Sequence, residues 1–158
     1  QIERALIDRW HERPDLARLL SRLSGGRIGW AIAASRDPSV LAQRQRCMEE
    51  LQSLLRQGRA ARIQAAERLG KREDLASAVG LWQTWWRDMV LICSGCGELV
   101  ANIDHLNTLR EQASQCDVAS AETAARATEA ALLQIEQNVN TRLVVEVLLV
   151  SWKQIRPI

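Results

Sequence analysis

The chain has 158 residues, a net charge of +2 and a charged fraction of 25%. That length suits one domain, or one domain with part of another attached, and the charge is too small to argue for a nucleic-acid-binding face. The 47% hydrophobic fraction supplies a sizeable core, and Pro occurs only at positions 14, 38 and 157, so helix is the default expectation.

Four apolar residues, Ile2, Leu6, Ile7 and Trp10, recur at helical spacing and predict a first helix ending before Pro14. Pro14-Asp15 opens a second, with Leu16, Leu19, Leu20 and Leu23 on one side, and Ser24-Gly25-Gly26 closes it. A short third helix carries Ile28, Trp30, Ala31 and Ile32 and stops at Arg36-Asp37-Pro38. Pro38-Ser39 then opens a long helix through Leu55, followed by another over roughly Ala60 to Leu69. Leu75, Val79, Trp82, Trp86, Met89 and Cys93 follow at spacings of four, three, four, three and four, a continuous helix seam. Leu99, Val100, Ile103, Leu106 and Leu109 predict one more helix. A final long helical region is capped by Asp117 or Ser120, with a stripe of Leu132, Ile135, Val139, Leu143, Val147 and Val150.

No segment shows sustained period-2 alternation, so the expected class is all-α. A composition shift at Ser35-Arg36-Asp37-Pro38 separates three short helices from longer ones typical of a bundle of about five helices. It divides the chain into residues 1–36 and 37–158.

The stretch Asn138 to Val150 is the most informative. Leu143 to Val150 holds seven large aliphatics and one charge, Glu146. The run is too short to span a bilayer and predicts a helix buried on most of its circumference. A buried lone carboxylate needs a partner, and Arg142 lies one helical turn away. Trp82 and Trp86 are expected in the core, and Trp85, about 100° away from Trp86, against a second neighbour.

The remaining motifs have bland readings. Cys93-Ser94-Gly95-Cys96 has the spacing of half a zinc site or a redox pair, but Cys47, Cys116, His11 and His105 are isolated as further ligands. Small residues at a helix end explain it better. Free thiols are expected, and with them the cytoplasm. Gly25-Gly26-Arg27-Ile28-Gly29 lacks the Lys-Ser/Thr and the preceding strand of a phosphate loop. His11 and His105 have no nucleophile pattern beside them and are expected to be structural. Arg59, Arg62, Arg68, Lys71 and Arg72 form a basic cluster, expected to be a solvated face rather than a phosphate contact. The chain starts at Gln1 inside an amphipathic pattern and is expected to be a fragment of a longer protein.

Three stretches resemble one family. Leu19-Leu20-Ser21-Arg22-Leu23-Ser24-Gly25-Gly26-Arg27-Ile28-Gly29-Trp30-Ala31 is similar to the lid segment of bacterial clamp-loader subunits. Trp85-Trp86-Arg87-Asp88-Met89-Val90-Leu91 with Asn102-Ile103-Asp104, and Asn138 through Leu149, resemble the collar domain of the DNA polymerase III delta-prime family. The resemblance implies a three-helix lid remnant of an AAA+ module followed by a collar that packs with the collars of delta and gamma/tau. It implies no catalysis, cofactor or metal in this fragment, no membrane, and contact with DNA only through the complex. In the family's ATP-hydrolysing members a lid arginine senses nucleotide, and Gly29 stands at that position here, which implies no nucleotide binding. Trp82, Trp86, Arg87, Asp88, Asn140, Arg142 and Glu146 are the residues expected to fix the bundle, with Arg87 reaching Asp88's neighbours or Glu146. The other expectations compatible with the residues are a generic helical adaptor, a metal or redox module on Cys93 and Cys96, and a small nucleic-acid-binding module.

Overall fold

A computed structural model describes residues 1–137 and 140–155. Asn138, Val139 and Pro157, invoked above, lie outside the described residues. The chain forms α1 (Ile2–Trp10), α2 (Pro14–Leu23), α3 (Ile28–Arg36), α4 (Pro38–Arg56), α5 (Arg59–Leu69), α6 (Leu75–Cys93), α7 (Leu106–Ala113), α8 (Val118–Glu136) and α9 (Thr141–Ser151). No strand occurs among the described residues, so the fold is all-α.

Helix boundaries follow local chemistry. Pro14 and Pro38 occupy first-turn positions, where a missing N–H costs nothing. The carboxylate of Asp37 accepts from the Ser39 amide at 2.9 Å, and that of Asp117 from the Ser120 amide at 2.7 Å. Each oxygen satisfies an orphan donor of α4 or α8. Hydrogen bonding to the Ser39 and Ser120 side chains, and then to these amides, holds both carboxyls below the usual carboxylate range. The α2–α3 turn needs left-handed backbone at Gly25 and Gly26, with φ of 54° and 91°.

Two apolar clusters result. The small one joins Leu6, Ala17, Leu20, Ala31 and Ala34 of α1–α3, with Val40 and Leu41 of α4 packed against it. The large one is built around α6, which packs on α4, α7 and α8, while α9 packs on α5 and α8. Trp152, just past α9, meets Trp82 edge-on at a centroid distance of 5.6 Å and Trp86 at 5.7 Å. Such pairs add about 0.5–1.5 kcal/mol beyond area burial.

Two expectations are corrected. The last helical region is two helices, α8 and α9, not one. The side chain of Asn140 caps α9 by accepting from the Leu143 amide at 3.2 Å. This new start resets the helical phase. Val144, Val145, Leu148 and Leu149 face the core, whereas Leu143 and Val147 are 56% and 64% exposed. The aliphatic run is thus buried on one face, not on most of its circumference. Second, residues 97–105 are not an α-helix but two 3-10 turns, Gly97–Leu99 and Ile103–His105. Among the described residues, six α-helices run from Pro38 onward.

One close approach fixes how α5 meets α9. A Cβ on Gly70 would lie 2.7 Å from the Cα of Arg142, and the Thr141 hydroxyl donates to the Gly70 carbonyl at 2.7 Å. Only a residue without a side chain fits there.

Candidate functional site

The most constrained polar structure lies between α4, α6 and the turn before α7. Asp88 on α6 is completely buried. Its carboxylate accepts from the Ala101 amide at 3.0 Å, the Asn102 amide at 2.8 Å and the Asn102 side-chain NH2 at 2.8 Å. These amides are therefore unavailable for helical bonds, which is why the segment before α7 is irregular. The Asn102 side chain also relays to α4, where its carbonyl oxygen accepts from Arg44 Nη2 at 2.6 Å. Arg44, 5% exposed, additionally grips both carboxylate oxygens of Asp104, at 2.6 and 2.9 Å. Such two-pronged charged hydrogen bonds are directional as well as strong. Arg87 is 58% exposed and reaches Asp88 Oδ1 at 3.1 Å, so it screens one edge of the network from solvent.

His105 sits beside this network. Its ring meets Trp85 edge-on at 5.8 Å, and its Nε2 lies 3.7 Å from Asp104 Oδ2. Burial holds the imidazole below its ordinary value, opposed by the Asp104 carboxylate. His105 is thus a half-buried packing residue, whereas His11 is exposed and ends α1 with a left-handed backbone, φ 53°.

A second buried cation closes the opposite end of the bundle. The guanidinium of Arg62, 3% exposed, donates to the carbonyls of Leu54 and Leu55 at the end of α4 and of Leu149 and Trp152 at the end of α9. Helix C-termini carry orphan carbonyls and partial negative charge, and here two such ends converge on one cation. Burial lowers the Arg62 pKa, but a guanidinium does not lose its proton in a protein. The expected solvated face around Arg62 is corrected accordingly. Other members of that basic cluster pair with acids: Arg72 with Asp74 and Glu50, Arg68 with Glu50, and Lys71 with Glu67.

The residues expected to fix the bundle divide. Trp82 and Trp86 are buried, and the Trp82 indole donates to the Cys47 carbonyl at 3.2 Å. Trp85 is buried as well, its indole donating to Gln112 Oε1 at 3.2 Å. Asp88 and Asn140 are held as described above. Arg142 and Glu146 are not a pair. Arg142 is exposed, Glu146 is half-buried, and among the described residues Glu146 forms no ion pair with Arg142 or Arg87. Because α9 turns Glu146 toward the edge of its buried face, the carboxylate reaches solvent and needs no counter-ion. Gly29, in the first turn of α3, is exposed with open space around it.

Arg44 was not named from the sequence, Arg62 entered only as a member of the basic cluster, and Asn102 and Asp104 only as part of the collar-like stretch. A signal existed for the cations. Arg62 stands at i, i+4, i+7 with Ala66 and Leu69, and Arg44 stands in phase with Cys47, Met48 and Leu51. A charge in register with an apolar stripe is buried and must find partners.

The Cys93 and Cys96 thiols turn to different carbonyls. The Cys93 thiol lies 3.5 Å from the Cys116 carbonyl, and the Cys96 thiol 3.8 Å from the Ser94 carbonyl. Burial pushes the Cys93 and Cys116 thiols up, away from the thiolate that metal binding and redox exchange require. Among the described residues no three His, Cys, Asp or Glu side chains cluster as metal ligands, and no helix is long and apolar enough to cross a membrane.

On the outside, the uncovered aliphatics of α9, Leu143 and Val147, are joined in exposure by Leu133 of α8, at 54%. No protein-family model, curated protein or solved structure matches this chain.

Proposed function

We propose that this chain is a non-catalytic assembly module of the bacterial replicative clamp loader, a lid remnant and collar of the delta-prime type. In this reading it works in the cytoplasm, packs against the collars of delta and gamma/tau, and touches DNA only through the complex. The observation that carries the reading is the uncovered aliphatic face of α9. It lies in the stretch that resembles the collar and is mounted on a bundle locked by Asp88 and Arg62. Rigid presentation of an apolar helix face suits an assembly surface, since such faces gain from exclusion of water by a partner.

The test is co-elution of this chain with purified delta and gamma/tau subunits on size exclusion. A stable three-component peak is expected. Leu143→Glu with Val147→Glu should abolish it while leaving the melting temperature unchanged, because both side chains are exposed. Failure of the unsubstituted chain to co-elute would leave a generic helical adaptor as the reading.

A further inference from the structure

A cleft of ≈ 890 Å³ lies where the three-helix unit meets the bundle. Its apolar lining is Leu23 of α2, Trp30 of α3, Val40 and Leu41 of α4, and Leu81 of α6, all only half-buried. Apart from Leu81, the α6 residues that line it are small: Ser77, Gly80 and Thr84. Open space surrounds the position where a Cβ of Gly80 would stand. That line spans about 10 Å of helix at 1.5 Å per residue, two turns, the length over which a docked helix presents its i, i+3, i+4 and i+7 anchors.

The charge of the cleft is one-sided. Arg27 and Arg46 line it, both exposed, and no carboxylate does. Each is held by a neutral acceptor: Arg27 Nε donates to the Ser24 carbonyl at 3.1 Å, and Arg46 Nη2 to Gln43 Oε1 at 2.7 Å. Those bonds orient the guanidiniums and leave their charge uncompensated, with most of their five N–H donors unused. The third arginine of the lining, Arg44, is matched by Asp104, and Arg72, whose partner Asp74 also accepts from Gln43 of the lining, by Glu50 and Asp74. Two cations without acids, above an apolar floor, call for carboxylates on an apolar body. A nucleic acid would meet too few cations for its phosphates and an apolar floor where it needs a polar one.

We propose that this cleft docks an acidic amphipathic helix of a partner protein, its apolar face on Trp30, Val40, Leu41 and Leu81 and its carboxylates on Arg27 and Arg46. The inference stands apart from the clamp-loader reading and uses a different face from that of Leu143 and Val147.

The experiment is fluorescence anisotropy of the full chain with a labelled helical peptide of about 14 residues, about 21 Å long, carrying Leu at i, i+3, i+4 and i+7 and Glu on both flanks. A second peptide carries Lys in place of each Glu. The acidic peptide is expected to bind about tenfold tighter or better, a factor equal to about 1.4 kcal/mol. Arg27→Glu with Arg46→Glu should reverse that preference, so that the Lys peptide now binds the variant. Arg126→Glu, an exposed site on α8, should change nothing. The reversal cannot come from unfolding, which would weaken both peptides. Equal binding of the two peptides, or an unchanged preference in the double variant, overturns the proposal. So does saturable binding of dodecanoate with no binding of either peptide, which would assign the cleft to a small amphiphile.

Discussion

The three-helix unit and the bundle it leans on are stabilised in different ways. The first buries two leucines and three alanines and, among the described residues, no charged side chain. The second buries four tryptophans, Trp82, Trp85, Trp86 and Trp152, and fixes their surroundings with Arg44, Arg62 and Asp88. Alanine contributes little apolar area and no shape, so the first unit has a shallow well. Buried ions contribute direction: each is tolerable in only one arrangement of its partners, and breaking that arrangement is costly. The bundle is therefore the specific part of the molecule and the three-helix unit the adaptable one. The cleft between them is lined from both sides.

The largest effects should come from the buried ions. Asp88→Ala leaves the Ala101 and Asn102 amides and the Asn102 side chain without their acceptor, and should cost ~3–5 kcal/mol, read from urea denaturation. Arg62→Met removes donors from the ends of α4 and α9 and should cost about 3 kcal/mol or more by the same measurement. If either variant melts like the unsubstituted chain, the contrast between the two regions fails. Leu6→Ala should cost about 2–3 kcal/mol, but only locally. Hydrogen exchange should accelerate in residues 1–36 while α6 stays protected, and equal acceleration in both regions would show one cooperative unit.

Gly70→Ala should cost about 1–3 kcal/mol, because its Cβ meets backbone at Arg142 rather than a flexible side chain. A melting point within error of the unsubstituted chain would show that α5 and α9 can separate freely. The smallest effect is a pH dependence. His105 is held below its ordinary 6.5 by burial, facing Asp104, Arg44, Glu49 and the Trp85 ring. The unfolded chain therefore takes up the proton first as pH falls. The contribution is complete above about pH 6.5 and is lost as pH falls through 6.5 toward the lower folded value. The melting temperature should decline over that window, and His105→Asn should flatten the decline.

Much of this was legible in the sequence. Pro14, Pro38 and the glycine pair at 25 and 26 mark their helix ends, and the seam from Leu75 to Cys93 marks α6, because caps and periodicity are local. The phase of α9 was not legible. The stripe carried on from Leu132 through Leu143 assumes one unbroken helix, and the restart at Asn140 turns Leu143 and Val147 outward. The partners of Arg62 were not legible either, since they lie at positions 54, 55, 149 and 152, and nothing local announces them. Asp88 could be marked for importance but not for its task, because two of its partners are the Ala101 and Asn102 backbone amides, which any sequence would supply.

The position of Arg62 also governs the order in which the molecule can be completed. Its acceptors come from both sides of it in the chain, and three of them, the carbonyls of Leu149, Trp152 and Lys153, exist only once α9 has docked. Until then, three of its five N–H donors face no carbonyl, and α4 with α5 alone would hold a cation with less than half its shell. Closing the bundle is thus coupled to the segment after α9, where the Ile155 amide also donates to the Leu55 carbonyl at 3.0 Å. That segment acts as a clasp on the bundle.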